Sequence, residues 1–173
     1  HGDAAQLVVD RFLGIGSRGD RSQYGTAASL SSATIVAAAS STHENVGTVL
    51  DPACGIAGTL LGIGKNFPKA QLLGTEINPS IAALARLLTY LTGYEATIET
   101  ENSLMSDQFP DVRADIVVCE PPLAVRFHKS DLEQMQRNNP EYALGGLGSE
   151  ELFLLYAAQH LTKNGRAVSY THL

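Results

Sequence analysis

The sequence contains no tryptophan, only two cysteines and few basic residues. Without tryptophan, any aromatic stacking surface must come from its six tyrosines and five phenylalanines. The cysteines, Cys54 and Cys119, belong to no Cys-x-x-Cys pair and no Cys/His cluster, which argues against a structural zinc site. Lysine and arginine number 12 against 18 acidic residues, for a net charge of -6 and a pI near 5.3. A free-standing nucleic-acid binder carries a basic face. A nucleic-acid ligand here would therefore need phosphate contacts from another domain or a partner subunit. No apolar run reaches the ~20 residues of a membrane-spanning helix, and the first residues lack a secretory signal pattern. The expected location is the reducing cytoplasm.

What is present is 173 residues, 44% hydrophobic, enough for one globular domain with a real core. Apolar spacing predicts helices over residues 4–13, 29–41, 58–66, 79–92 and 150–161. The helix over 79–92 carries Ile81, Leu84, Leu88 and Leu91 at steps of three or four, with Gly93 suited to cap its end. Strands are predicted over 48–50, 71–75, 96–100 and 115–119. A turn at Lys163-Asn164-Gly165 leads to a fifth strand over 166–170. Residues 124–148 read as irregular. Strands alternating with helices predict an α/β fold, a doubly wound and mostly parallel sheet.

One segment stands out: Val49-Leu50-Asp51-Pro52-Ala53-Cys54-Gly55-Ile56-Ala57-Gly58. It reads as a strand, a glycine-containing loop and the start of a helix. Such a loop lies at the carboxyl edge of a doubly wound sheet, where ligands bind. Gly55 and Gly58 permit close approach, and the helix N-terminus offers free N–H groups. Glu76 follows the next strand, 21 residues after Gly55, where an acid can accept both ribose hydroxyl hydrogens. The pattern alone fits a dinucleotide or S-adenosylmethionine, although the Gly-x-Gly-x-x-Gly spacing of a dehydrogenase is absent. A second segment, Val117-Val118-Cys119-Glu120-Pro121-Pro122-Leu123, is an apolar strand ending in an acid and two prolines.

The Asp51–Gly55 pentad, Gly74-Thr75-Glu76 and the Glu120–Leu123 tetrad together resemble the DNA adenine-N6 methyltransferases, in particular the modification subunit of type I restriction systems. The resemblance covers most of residues 20–168, continuing through Tyr142-Ala143-Leu144-Gly145, Glu151-Leu152-Phe153 and Gly165-Arg166-Ala167. It implies a Rossmann-like S-adenosylmethionine-dependent methyltransferase fold. In it residues 1–47 form a helical segment completing the cofactor pocket, and 48–173 form the core. A sheet of that kind continues with two more strands, so the chain reads as a fragment.

The resemblance also implies the chemistry: methyl transfer from S-adenosylmethionine to adenine N6 in DNA, beside specificity and restriction subunits. Tyr24, Thr26, Asp51, Pro52, Ala53, Cys54, Gly55, Gly58, Glu76, Ile77, Asn102 and Ser103 are the implied cofactor residues. Glu120, Pro121, Pro122 and Leu123 occupy the catalytic positions. The family has Asn-Pro-Pro-aromatic there: an amide oxygen and a proline carbonyl accept the amine hydrogens, and the aromatic stacks on the flipped base. Here Glu replaces the amide and Leu has no π-face. Ala57 stands where the family has glycine, and Asn102 where it has Asp. The Glu-Pro-Pro-Leu tetrad also resembles that of silent partner subunits in heterodimeric RNA adenine methyltransferases. A non-catalytic scaffold and a methyltransferase acting on a protein or small molecule are the alternatives.

Other groups are weighed against plainer roles. Cys54 and Cys119 end neighbouring strands, as two buried free thiols or a redox pair. Phe127, Tyr142 and Phe153 are candidates to stack on a base in place of Leu123. Arg126, His128, Lys129 and Arg137 are phosphate contacts or solvated loop charge. His160 shows no ligand spacing, and Asp107, Asp111 and Asp115 read as surface or strand-start residues.

Overall fold

A computed structural model of the chain describes residues 30–41, 45–122, 125, 127–143 and 148–169. The expected helix over 4–13 lies outside them, as do Tyr24, Thr26, Leu123 and Arg126. The elements run α1 (Leu30–Ser40), β1 (Thr48–Asp51), α2 (Gly58–Asn66), β2 (Gln71–Glu76), α3 (Pro79–Thr92) and β3 (Ala96–Thr100). Then come β4 (Ala114–Cys119), α4 (Lys129–Asn138), a 3-10 turn (Pro140–Ala143), α5 (Ser149–Gln159) and β5 (Leu161–Ser169). The five strands form one sheet in the order β3-β2-β1-β4-β5, and every pairing is parallel.

Side chains alternate across a strand, so β1 serves two cores. Val49 packs with Ile35, Ala39, Leu60, Ile63, Leu72 and Ala85 beneath α1, α2 and α3. Leu50 packs with Leu73, Val117, Met135, Leu152 and Tyr156 beneath α4 and α5. The Asp115 carboxylate ties the start of β4 to the start of β1, accepting from the Gly47 and Thr48 N–H groups at 2.8 and 3.1 Å.

Helix α3 has the expected bounds and caps. The Asn78 carboxamide oxygen accepts from the Ser80 and Ile81 N–H groups at 3.0 and 3.4 Å, and Gly93 closes the helix at φ 72°. Its buried residues are Ala82, Ala85, Leu88 and Thr89; Ile81 and Leu84 pack half-buried beside Leu88 and Ile56, whereas Leu91 is exposed. The small Ala82 and Ala85 belong to the core shared with β1 and β2.

Two expectations are corrected. Residues 129–138, read as irregular, form α4. Its only apolar residues are Leu132 and Met135, three apart, and Met135 alone is fully buried, so the hydrophobic period is short; Asp131 and Arg137 suit its two ends. The fifth strand begins at Leu161 rather than Arg166. Between Ala114↔Leu161 and Ile116↔Arg166 the register shifts, and Lys163-Asn164-Gly165 bulges out of the strand instead of forming a separate turn.

Asp107 and His160 are buried or half-buried partners rather than surface groups. His160 Nε2 lies 2.9 Å from Asp107 Oδ2, the Tyr156 hydroxyl donates to Asp107 Oδ1 at 2.7 Å, and the Tyr156 and His160 rings stack at 4.0 Å. Burial raises the Asp107 carboxyl, but hydrogen bonds from His160, the Phe109 N–H and Tyr156 outweigh it and hold it below the usual range.

Gly74 has no room for a side chain. A Cβ there would sit 2.8 Å from Cys54 Sγ and 3.0 Å from Cys54 Cβ. Overpacking of this kind costs ~1–3 kcal/mol. Gly74→Ala is expected to lower the melting temperature by roughly 2–4 °C for each kcal/mol lost. An unchanged thermal melt would show that the loop does not rest on β2.

Candidate functional site

The carboxyl ends of β1, β2 and β4 meet because β1 lies between the other two. The loop after β1 is held from both sides. Asp51 Oδ1 accepts from the Ala53 N–H at 3.0 Å, the Cys54 N–H donates to the Thr75 carbonyl on β2 at 2.9 Å, and the Ala57 N–H donates to the Cys54 carbonyl at 2.8 Å. Ser103 is buried, and its hydroxyl donates to the Pro52 carbonyl at 2.7 Å. That hydroxyl stitches the loop after β3 to the loop after β1.

The loop requires two left-handed residues, Gly55 at φ 54° and Ala57 at φ 66°. Ala57 is the only non-glycine residue with positive φ among the described residues, and it is fully buried at the N-cap of α2. The left-handed conformation costs an L-residue with a Cβ ~1–2 kcal/mol. This is the physical reason for a glycine at that position.

Asp51 is 3% exposed. Burial pushes its carboxyl up to about 7; the Ala53 N–H opposes this, and the negative charges of Glu120 and Glu76 add to it. Glu76, half-buried at the end of β2, accepts from the Asn78 N–H through Oε1 at 2.7 Å. A carboxylate has about four acceptor positions, so capacity for a diol remains. Ile77 is 63% exposed beside it. Asn102 uses Oδ1 to accept from the Leu104 N–H at 3.1 Å, an Asx turn that shapes its own loop. Thr75, one residue before Glu76, is fully buried, and its hydroxyl finds no partner among the described residues.

Past β4, Glu120 is half-buried, Pro121 is buried and Pro122 is exposed. The buried Ser149, first residue of α5, donates from its hydroxyl to the Pro122 carbonyl at 2.8 Å. Nothing in the sequence signals this bond; the segment around Ser149 reads only as a helix start. Tyr142 and Phe153 are buried core residues of the α4/α5 side and present no face for stacking, and Phe127 packs partly buried against the same core. His128, Lys129 and Arg137 are exposed; Lys129 lies 3.8 Å from Glu133, an exposed pair of little energetic weight. Both cysteines are free and buried, and burial, with Asp51 nearby, pushes both thiols up.

A cavity of about 440 Å³ begins at Ser103 and Leu104 and extends past Met105 to Asn139 and Tyr142. None of Asp51, Glu76 and Glu120 lines it, so the candidate site is the carboxylate-lined strand edge rather than this cavity. Among the described residues no cluster of His, Cys, Asp and Glu could hold a metal ion, and no helix is long and apolar enough to cross a membrane.

A parallel doubly wound sheet with a glycine loop after β1 and an acid after β2 defines a nucleoside-binding fold class. Within it, the profile of the N-6 DNA methylase family matches residues 16–169, and this chain belongs to that family. It is 24% identical over 138 residues to the type I restriction enzyme MjaIX methylase subunit of Methanocaldococcus jannaschii, a match covering 70% of this chain and 24% of that protein. Its fold is similar to that of a type I restriction-modification methyltransferase subunit from Streptococcus thermophilus, with a TM-score of 0.75 and 19% identity over 97% of this chain and 38% of that one. It is also similar to a Listeria monocytogenes protein described as a class I S-adenosylmethionine-dependent methyltransferase, with a TM-score of 0.71 and 16% identity over 97% of this chain and 52% of that one. The chain thus spans between about a quarter and a half of the length of these relatives.

The Asp51 shift has a definite sign. Its folded-state value of about 7 exceeds the ordinary 3.8. The folded state therefore binds the proton more tightly, and stability present below pH ~4 is lost as pH rises through 7. At 1.36 kcal/mol per pKa unit the penalty is about 4 kcal/mol. Asp51→Asn keeps an acceptor for the Ala53 N–H and removes the charge. Denaturant titrations are expected to show the variant more stable than wild type above pH 7 and similar at pH 4. A difference that does not change with pH would refute the buried, proton-binding carboxyl.

Proposed function

We propose that this chain is the cofactor-binding and methyl-transfer core of a DNA adenine-N6 methyltransferase that uses S-adenosylmethionine and works beside specificity and restriction subunits. The observation that carries this reading is the convergence of Asp51, Glu76 and Glu120-Pro121-Pro122 on one strand edge, in a member of the N-6 DNA methylase family. On this reading residues 48–173 form the core, and residues 1–47 complete the cofactor pocket through Tyr24 and Thr26. The net charge of -6 fits a subunit whose phosphate contacts are supplied by its partners.

The residues present fit such a cofactor. Glu76 supplies acceptors for a ribose diol, and Gly55, Gly58 and the N-terminus of α2 allow close approach. Asp51, between Glu76 and Glu120, gives a negative field suited to a cation. Pro52, Ala53, Cys54, Ile77, Asn102 and Ser103 shape the rest of the wall. When bound, S-adenosylmethionine supplies an electrophilic methyl group on a positively charged sulfur.

The adenine amine is a poor nucleophile because its lone pair is delocalised into the ring. Glu120 and the Pro121 carbonyl would accept its two hydrogens, which favours a pyramidal nitrogen. The Glu120 carboxylate can also receive the proton that N6 releases. Compared with Asn, Glu is one methylene longer, and misplacement by ~1 Å can cost ~10²-fold in rate. A scaffold without catalysis is the second reading, favoured by Glu120 itself and by Ala57 at φ 66°.

Calorimetry with S-adenosylmethionine tests the reading. Binding is expected, weakened tenfold or more (roughly 1.4 kcal/mol) by Glu76→Ala. A cation beside Asp51 favours its ionised form. Binding near pH 7 should therefore release protons, seen as a heat that varies with the buffer's ionisation enthalpy, and affinity should rise from pH 5.5 to 7.5. The product S-adenosylhomocysteine, whose sulfur carries no charge, should show less of both. No binding at millimolar cofactor by the folded full-length protein would leave only the scaffold.

A further inference from the structure

We propose that Ser149 is the positioning residue for the Glu120-Pro121-Pro122 turn, and that its hydroxyl sets the geometry in which this turn holds the adenine amine. The inference rests on the base-site reading above and adds a residue to it.

The argument starts from what two consecutive prolines remove. Neither Pro121 nor Pro122 has an N–H, so the turn cannot donate a backbone hydrogen bond at either position. At these two positions the backbone can be tied down only through its carbonyls. Among the described residues the β4 ladder to β5 runs as far as Cys119↔Ser169, and Glu120 follows directly. The Ser149 hydroxyl reaches across 27 positions of sequence to take the Pro122 carbonyl at 2.8 Å.

The donor sits on a rigid base. Ser149 is 0% exposed, and behind it Leu152, Phe153 and Tyr156 lock α5 into the core shared with β4. Gly148, just before it, could not carry a side chain undisturbed: a Cβ would lie 2.7 Å from Glu151 Oε2 and 3.2 Å from Glu150 Oε2. The absence of a side chain lets both acids fold back over the first turn of α5, where the helix dipole favours them. A hydroxyl has one hydrogen to donate, and Glu150 Oε2, at 2.9 Å, is a second acceptor for it. The placement of α5 brings the one hydroxyl hydrogen within reach of both acceptors, the Pro122 carbonyl at the shorter distance.

Holding the Pro122 carbonyl orients the peptide plane that follows Pro122, and the ring-locked φ of Pro122 and Pro121 passes that restraint back toward the Pro121 carbonyl and the root of the Glu120 side chain. Ser149 touches neither base nor cofactor on this account; it acts through the turn.

The test uses the full-length subunit in its native complex, tritiated S-adenosylmethionine, and genomic DNA from a methylase-deficient host as acceptor. Ser149→Ala is expected to lower kcat about tenfold or more while KM for the cofactor stays unchanged. Ser149→Thr, which keeps the hydroxyl, should recover most of the rate. Thermal melts establish that each variant is folded. Should Ser149→Ala not fold, Ser149→Cys, a near-isostere with a weak donor, takes its place and should give an intermediate kcat. Unchanged kcat in the Ala variant, or loss of cofactor affinity in parallel with rate, would overturn the role. A wild-type complex that binds cofactor yet transfers no methyl group would instead overturn the base-site reading, and this inference with it.

Discussion

Everything at the candidate site depends on β1 pairing with two parallel neighbours at once. Val49 and Leu50 stand opposite Leu72 and Leu73 on β2 and opposite Ile116 and Val117 on β4. In a parallel sheet the carboxyl ends point the same way. The switch in strand order beside β1 opens a crevice at that edge. Asp51, Glu76 and Glu120 are far apart in sequence and neighbours only through this arrangement. The apolar strands supply the energy, since each of these β1 residues is fully buried. Burying such a side chain contributes about 1.5–3 kcal/mol.

The core spends part of that stability on the site. Ala57 is held left-handed, Thr75 carries a buried hydroxyl without a partner among the described residues, and Asp51 is a buried carboxyl beside two other acids. Each is unfavourable alone, by ~1–3 kcal/mol for strain or an unmet hydrogen bond. All three lie on or next to the loops at the carboxyl edge. The opposite end of β4 shows the reverse: Asp115 and Asp107 are satisfied by hydrogen bonds. Strain gathered at one edge of an otherwise satisfied fold is the mark of a surface shaped for a ligand.

The elements with a strong period were legible in the sequence. Strands β1, β2 and β4 are short apolar runs, and α3 has proline inside its start and glycine past its end. The glycine loop after β1 was legible because glycine and a downstream acid are chemical signals as well as structural ones. Helix α4 was not, because Leu132 and Met135 alone make too short a stripe to stand out. Nor were the stapling hydroxyls of Ser103 and Ser149, which bond to carbonyls 51 and 27 positions away. Serine at either position has an ordinary local reading, and only the folded chain brings the acceptor to it. The left-handed turn at Ala57 was hidden for a different reason: alanine there contradicts the conformation that the loop imposes.

The two cysteines carry a further consequence. They are the only thiols in the sequence, and both are buried, one in the loop after β1 and the other at the last residue of β4. Burial and the nearby carboxylates disfavour the thiolate, which is the reactive form. A thiol reagent therefore meets an inert protein while this edge stays closed. Labelling should proceed only when the loop lifts from Gly74 or β4 pulls away from β1. The chain thus carries its own native reporter: the rate of cysteine modification measures how often the packed loop and strand ends come apart, with no probe added to it.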